Sequence, residues 1–153
     1  MIQLATEFFD VKNDPSQLSI DETVIERLRL IHPATMGEMT DENGPIAWTI
    51  AIPTTESVMN RFLEKQINEA ELLALTEYEK KFTEVYLCSA LVLPEHRGKG
   101  FAKQLFCSSI YAIQKKHSVQ SLFSWAFSTE GDGLSQTVAK TLGLPLHKRM
   151  KEE

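Results

Sequence analysis

Apolar residues recur along the chain with two different spacings, one typical of amphipathic helices and the other of strands. The predicted elements are, in chain order, helices over 2–9 and 19–31, hairpin strands over 35–39 and 46–52, short helices within 56–76, a strand over 85–93, a helix over 100–117, a strand over 121–128, a helix over 135–142 and a short strand over 144–147. The strand over 85–93 is the longest apolar run, which indicates a central strand covered on both faces. This order predicts a mixed α/β sheet with a right-handed parallel crossover after that strand.

A basic, glycine-rich turn joins the predicted central strand to the helix that follows it. The turn spans residues 97–102 and contains Gly98 and Gly100. Glycines let a ligand approach the backbone, and a helix that begins here presents unpaired N–H groups to an anion. Arg97, Lys99 and Lys103 add positive charge. The turn therefore predicts a ligand that carries phosphate.

Two familiar phosphate-binding loops do not match this turn. A P-loop needs Ser or Thr directly after its Gly-Lys pair, and the residue after Gly98-Lys99 is Gly100. A dinucleotide-binding fingerprint that begins at Gly98 finds its second glycine at Gly100, but Lys103 occupies the third glycine position. The spacing therefore excludes both a P-loop and a dinucleotide-binding loop.

The turn and its neighbours instead resemble the acyl-CoA-binding signature of the GNAT superfamily of N-acyltransferases. That signature, Arg/Gln-x-x-Gly-x-Gly/Ala, is matched by Arg97, Gly100 and Ala102. The resemblance implies acetyl-CoA as the co-substrate, with its pyrophosphate held by the turn and its pantetheine arm paired with the end of the central strand. The cofactor-binding residues it implies are Leu91, Val92, Leu93, Arg97, Gly98, Lys99, Gly100, Phe101 and Ala102.

The resemblance also implies a fold. It covers about residues 17–148 and implies a single GNAT-like domain over residues 1–153, built on a mixed, mostly antiparallel twisted sheet flanked by helices. In the family, the strand after the helix splays away from the central strand to admit the pantetheine arm. The family's first strand is not evident here, and we expect the chain to lack the family's last strand. The acceptor side is therefore expected to be open, or closed by a partner.

The resemblance marks the proton-transfer groups less clearly than the CoA turn. Many members carry a tyrosine as general acid in the last helix, and Ala139 stands at that place here. Ser128, Thr129 or a water molecule could take its role. Glu84, at the start of the central strand, and Glu38, in the hairpin, are the candidate general bases. We select Glu84 and Ser128 as the catalytic residues.

Four aromatic or imidazole side chains near these segments have structural interpretations. His96 adjoins the turn and is expected to face solvent. Tyr86 and Trp125 are predicted to pack along the cleft, and Trp48 is predicted to lie in the core.

Composition narrows the range of partners. The chain of 153 residues has a formal net charge of -5, which argues against nucleic acid or an anionic membrane as its main partner. It has no apolar run of membrane-spanning length and no secretory signal pattern, so we expect a cytoplasmic protein. Cys88 and Cys107 stand without a CxxC motif, which indicates two buried, reduced thiols and no metal site.

The resemblance implies that the protein is an enzyme that transfers an acetyl or other acyl group from CoA to a primary amine, on a small molecule or a peptide. An alternative with the same fold is a non-catalytic CoA-binding sensor or interaction module, which the missing tyrosine favours. A third is an interaction protein whose turn binds no cofactor. Dimers are common in the family, so a homodimer is also among the expected partners.

Overall fold

The computed structural model describes residues 21–77, 81–125 and 128–150. The helix predicted over 2–9 lies outside these ranges. The described elements are α1 (Glu22–Ile31), β1 (Met36–Asp41), β2 (Gly44–Thr54), α2 (Glu56–Leu63), α3 (Glu69–Leu75), β3 (Glu84–Val92), a 3₁₀ turn (Pro94–His96), α4 (Phe101–Gln114), β4 (Ser121–Ser124), α5 (Thr129–Leu142) and β5 (Leu146–Lys148).

The five described strands form one sheet in the order β1-β2-β3-β4-β5. The pairs β1–β2 and β2–β3 are antiparallel, whereas β3–β4 and β4–β5 are parallel. The predicted mixed α/β fold, with the long apolar strand at its centre, is therefore confirmed. Antiparallel pairing is confined to the first three strands, because each later connection crosses over through a helix and returns the chain in the same direction.

Helices cover both faces of β3, as its apolar sequence predicts. Tyr86 points to the face that α1, α2 and α3 cover, and its cluster includes Trp48, which is 1% exposed as predicted for a core residue. Val85 and Leu87, which alternate with Tyr86 along the strand, pack on the opposite face against α4 and α5. The central strand is thus held in place from both sides.

Two predicted boundaries near the C-terminus were wrong. The strand predicted over 121–128 ends at Ser124, and the helix predicted over 135–142 already begins at Thr129. Gly131 and Gly133 are poor helix formers, but the Ser128 hydroxyl accepts a hydrogen bond from the Gly131 N–H at 3.0 Å and caps the helix. Acidic residues in the first turn also favour a helix that begins there.

No helix within the described ranges is both long enough and apolar enough to cross a membrane.

Candidate functional site

Strands β3 and β4 separate halfway along β3. They pair from Glu84–Ser121 to Leu87–Ser124, and beyond Leu87 the strand β3 continues to Val92 with β2 as its only neighbour in the described part of the chain. The residues before this point are buried, and those from Cys88 to Val92 are partly exposed. The second half of β3 therefore presents an open backbone edge, which we call the β3 edge (residues 88–92).

A β-bulge marks the start of the β3 edge. Ser89 pairs with Ile50 on β2 and Leu87 pairs with Ala51, so Cys88 is an extra residue without a partner position on β2. A bulge disturbs the ladder locally and redirects the strand. The bulge and the end of the β3–β4 pairing thus coincide.

The β3 edge leads directly into the glycine turn. The Leu93 N–H donates to the Ile46 C=O at 2.9 Å, which ties the end of β3 to β2. Gly98 and Gly100 then adopt left-handed backbone conformations, with φ of +82° and +79°. A Cβ atom placed on either glycine would meet nothing within 4 Å, so the space beside the turn is open to a ligand.

Helix α4 begins in this turn without a side-chain cap. Gly100 is its N-cap, and the first bond of the helix runs from the Gln104 N–H to the Gly100 C=O at 3.0 Å. The N–H groups of Phe101, Ala102 and Lys103 therefore have no acceptor within the helix. They point out of the N-terminus together with the positive end of the helix dipole, which is an arrangement that binds anions.

A cavity of about 140 Å³ lies at this helix terminus, lined by every residue of the turn except Lys99 and by Val92, His96, Lys103 and Leu134. The Arg97 Nε donates to the Val92 C=O at 3.2 Å, so its guanidinium is held beside the end of the β3 edge. The Lys99 ammonium lies 5.9 Å from the centre of the Phe101 ring. Arg97 and Lys103 thus line the cavity, whereas Lys99 does not.

His96 does not simply face solvent as predicted. Its side chain is 21% exposed, and its Nε2 lies 3.5 Å from the Asp41 Oδ2 at the hairpin. Its ring centre is 6.3 Å from that of Phe101. These contacts attach the turn to the hairpin.

Six of the nine predicted cofactor-binding residues line the cavity, namely Val92, Arg97, Gly98, Gly100, Phe101 and Ala102. Leu91 and Val92 lie at the end of the β3 edge, Leu93 leaves it, and Arg97 to Ala102 form the turn and the first residues of α4. All nine are at least partly exposed. Their role in binding stays a prediction.

The structure does not bring Glu84 to this surface. Glu84 is the first residue of β3, at the end where β3 and β4 are paired, and Val92 is roughly 26 Å further along the strand. It is 2% exposed, and its carboxylate accepts a hydrogen bond from the Ser121 hydroxyl. The prediction erred because the strands open at their other end.

The other candidate proton-transfer residues, and the alanine at the place of the expected tyrosine, lie in three different places. Ser128 is exposed and caps α5, and Thr129 follows it as the first helical residue. Glu38 is exposed on β1, opposite Trp48. Ala139 is 4% exposed and packs in the core beneath α5. Residue 139, where the sequence resemblance would place a tyrosine, is thus a packing position.

A buried polar cluster at the start of the β3 edge was not predicted. The Tyr86 hydroxyl donates to the Glu69 carboxylate at 2.5 Å, and the Cys88 Sγ lies 3.7 Å from the same oxygen. Burial, followed by the charge of Glu69, raises the pKa of Tyr86 well above its usual value. One signal was available in the sequence. Glu69 precedes Leu72 and Leu73 at spacings of three and four, which places a carboxylate on the apolar face of α3.

Tyr86 and Trp125 both pack against other aromatic residues as predicted, but both are buried and neither lines the cavity at the turn. The Tyr86 ring stacks on Phe123 with centres 4.9 Å apart, and Phe62 contacts both Tyr86 and Trp125 edge-on. Trp125 directly follows the last paired residue of β4 and is 8% exposed. The aromatic residues therefore form one wall at the point where the strands separate.

The thiol prediction is correct for one cysteine and only partly so for the other. Cys107 is buried, and burial raises the pKa of its thiol. Cys88 is only half-buried, like the other residues of the β3 edge. Among the described residues, no group of three or more His, Cys, Asp or Glu side chains is placed to hold a metal ion.

Comparisons with known proteins add one structural likeness. No protein-family model and no curated protein matches the sequence. One solved structure, aminoglycoside N-acetyltransferase AAC(6')-Iy in complex with CoA, is similar over 88% of this chain and 92% of that chain. The TM-score is 0.43 and the sequence identity is 17%.

Proposed function

We propose that this protein transfers an acyl group, with acetyl as the simplest case, from acyl-CoA to a primary amine. One observation carries the proposal: the open β3 edge ends at Val92, which lines the same cavity as the uncapped N-terminus of α4. A strand edge and an anion site joined end to end suit a ligand with an extended amide-containing arm and a phosphate group. CoA has both parts in that order.

Each part of CoA finds a matching part of the surface. The amide groups of the pantetheine arm can pair with the β3 edge as an added strand would. The edge is five residues long, from Cys88 to Val92, or roughly 16 Å. The pyrophosphate then reaches the open space beside Gly98 and Gly100, where a Cβ atom would otherwise intrude. There it meets the N–H groups at the start of α4 and the positive charge of Arg97.

The chain's main chemical contribution is alignment. A thioester is already activated, and holding an amine against its carbonyl carbon can supply about 7–11 kcal/mol of the barrier reduction. Backbone N–H groups on the β3 edge, near the bulge at Cys88, can stabilise the developing oxyanion. The Ser128 hydroxyl, whose oxygen accepts the capping bond, keeps its own proton available for donation. Its role as general acid is part of this proposal.

Two measurements test the function. Acetyl-CoA at a hundred times its Kd should raise the free energy of unfolding by about 2.7 kcal/mol, which thermal unfolding detects. Thiol release from acetyl-CoA should then respond to at least one amine in a panel of polyamines, amino acids, aminoglycosides and lysine peptides. Stabilisation without thiol release would favour the CoA sensor instead. No stabilisation at millimolar acetyl-CoA would contradict both functions.

A further inference from the structure

The carboxylate of Glu69 is buried on the apolar face of α3, where an ionised group lowers the stability of the fold. Glu69 is the first residue of α3 and is 5% exposed, on the same face as Leu72 and Leu73. A buried ionised group destabilises a fold unless it is paired and hydrogen-bonded. The helix start itself is fixed by a different pair, since Asn68 and Glu71 form a reciprocal capping box. Capping therefore does not require a carboxylate at residue 69.

The surroundings of Glu69 supply a hydrogen-bond donor to its carboxylate and a buried positive charge in the same region. The Tyr86 hydroxyl donates to it, and the raised pKa of Tyr86 keeps that proton on the tyrosine. Arg149 adds a buried positive charge to the same region. Its guanidinium carbon lies 4.3 Å from the centre of the Trp125 ring and 4.6 Å from that of Phe62, and its Nη1 donates to the Ile67 C=O at 2.9 Å.

The Glu69 carboxylate lies beside Cys88, the first residue of the β3 edge. Phosphate bound at the turn fixes one end of an extended ligand beyond Val92, so the ligand's other end lies at the opposite end of the edge, at Cys88. The Cys88 Sγ is 3.7 Å from the Glu69 carboxylate. Glu69 therefore lies, buried, next to the residue at which the reacting end of such a ligand would arrive.

We propose that Glu69 is the carboxylate that receives the ammonium group of the acceptor and takes its proton, with Tyr86 as the residue that positions it. This inference rests on the proposed acyl transfer. It specifies an acceptor that arrives as a cation, because a buried carboxylate recognises an ammonium group by charge and by hydrogen bonding.

The proton and electron balance of the step is complete without a further reagent. One ammonium proton passes to a Glu69 oxygen, and the freed nitrogen lone pair forms a bond to the thioester carbonyl carbon. The carbon–sulfur bond breaks as the amide forms, and the sulfur keeps the electron pair. The nitrogen's second proton ends on the sulfur, which gives the free thiol, and Glu69 releases its proton to solvent.

The variant Glu69→Gln tests this role, because glutamine keeps the size and the acceptor for Tyr86 but cannot take the proton. Glu56→Gln is the matched control, since Glu56 is also the first residue of its helix but is exposed. Kd for acetyl-CoA is measured by calorimetry, and kcat/KM by thiol release with the most active amine of the panel. We expect Glu69→Gln to keep Kd within about twofold and to lower kcat/KM at neutral pH by about 10²- to 10⁴-fold. Glu56→Gln should match the wild type.

The pH profile separates a proton-transfer role from a structural one. As the pH approaches the pKa of the amine itself, the amine arrives already neutral, so the deficit of Glu69→Gln should shrink. Tyr86→Phe keeps the ring but removes the hydrogen bond that favours the carboxylate, and should move the acid limb of the kcat/KM profile to higher pH. If Glu69→Gln does not fold, the pH profile of Tyr86→Phe tests the role of Glu69.

Failure of this inference is distinguishable from failure of the proposed function. An active wild type whose Glu69→Gln variant has the same kcat/KM and the same pH profile would overturn the role of Glu69 and leave acyl transfer standing. If the acid limb of the kcat/KM profile does not move in Tyr86→Phe, the role of Glu69 is likewise overturned and acyl transfer is left standing. A wild type that does not bind acetyl-CoA would overturn the acyl transfer, and the role of Glu69 with it.

Discussion

Leu87 on β3 and Ser124 on β4 are the last residues at which these two parallel strands pair. The next residue of β3, Cys88, is the extra residue of a bulge against β2. The remaining five residues of β3 therefore have a neighbour on one side only, within the described part of the chain. This opening ends at the glycine turn, so the pairing limit at Leu87 defines one end of the candidate site and Gly100 lies near the other.

Replacing Gly100 with valine should abolish the binding of acetyl-CoA. The new side chain would project into the open space beside the turn, where the pyrophosphate is expected. Gly143→Val is a matched control, because Gly143 is also a left-handed helix cap, with φ of +68° against +79°, and also has open space around it. Both variants should lose about 1–2 kcal/mol of stability from the strained backbone.

Only Gly100→Val should lose the stabilisation by acetyl-CoA in thermal unfolding. Equal stabilisation of both variants would show that the turn is not the pyrophosphate site. Loss of stabilisation in both variants would instead point to a general effect of backbone strain.

A close approach between Gly37 on β1 and Thr49 on β2 should appear as energetic coupling. A Cβ atom at residue 37 would lie 2.7 Å from the Thr49 Oγ1 and 3.4 Å from atoms of Leu105 and Ser109 on α4. Gly37→Ala should therefore destabilise the protein by about 1–3 kcal/mol. In a Thr49→Ala background the cost should be smaller, with a coupling of about 0.5–3 kcal/mol in urea unfolding. Simple additivity of the two changes would contradict this packing.

The protein should lose stability in mild acid because of His32 and His117. The Nδ1 atom of His32 accepts from the Ala34 N–H at 3.0 Å, and that of His117 accepts from the Phe82 N–H at 3.1 Å. Burial is the main cause that lowers the pKa of both, and neighbouring positive charge adds to it, from Lys116 in each case. The unfolded chain therefore binds these protons more readily than the folded one.

This difference in proton binding makes the stability of the fold decrease as the pH falls. Stability is fully present above the unfolded histidine pKa of about 6.5, and is lost as the pH falls through that value toward the lower folded values. Urea unfolding between pH 7.5 and 5 should show an uptake of up to about two protons on unfolding. His117→Asn, which keeps a short polar acceptor, should reduce this uptake by about one proton. The exposed His147→Asn serves as the control, and an unchanged slope in His117→Asn would contradict the prediction.

The sequence predicted the elements around the turn because their signals are local. A continuous apolar run predicts β3, and two glycines followed by an amphipathic pattern predict the turn and α4. The strand predicted over 121–128 was too long for a related reason. Apolar residues continue to Trp125, but the end of pairing at Ser124 depends on where two strands diverge, which composition does not encode.

The catalytic half of the site was harder to predict because its residues come from distant parts of the sequence. Glu84 and Glu69 are both buried carboxylates, and nothing local says which one faces the opening. Their distinction depends on which end of β3 loses its partner strand. Burial of Glu69 could be predicted from its spacing to Leu72 and Leu73, whereas its contact with Tyr86 requires the three-dimensional structure.

The proposed acyl transfer requires CoA to lie along the β3 edge and to end at the turn. Hydrogen–deuterium exchange of the backbone, with and without saturating acetyl-CoA, tests this placement. We expect added protection over residues 88–92 and 98–103, and little change over residues 84–87, whose pairing with β4 is already complete. Binding of acetyl-CoA with unchanged exchange over residues 88–92 and 98–103 would contradict the account.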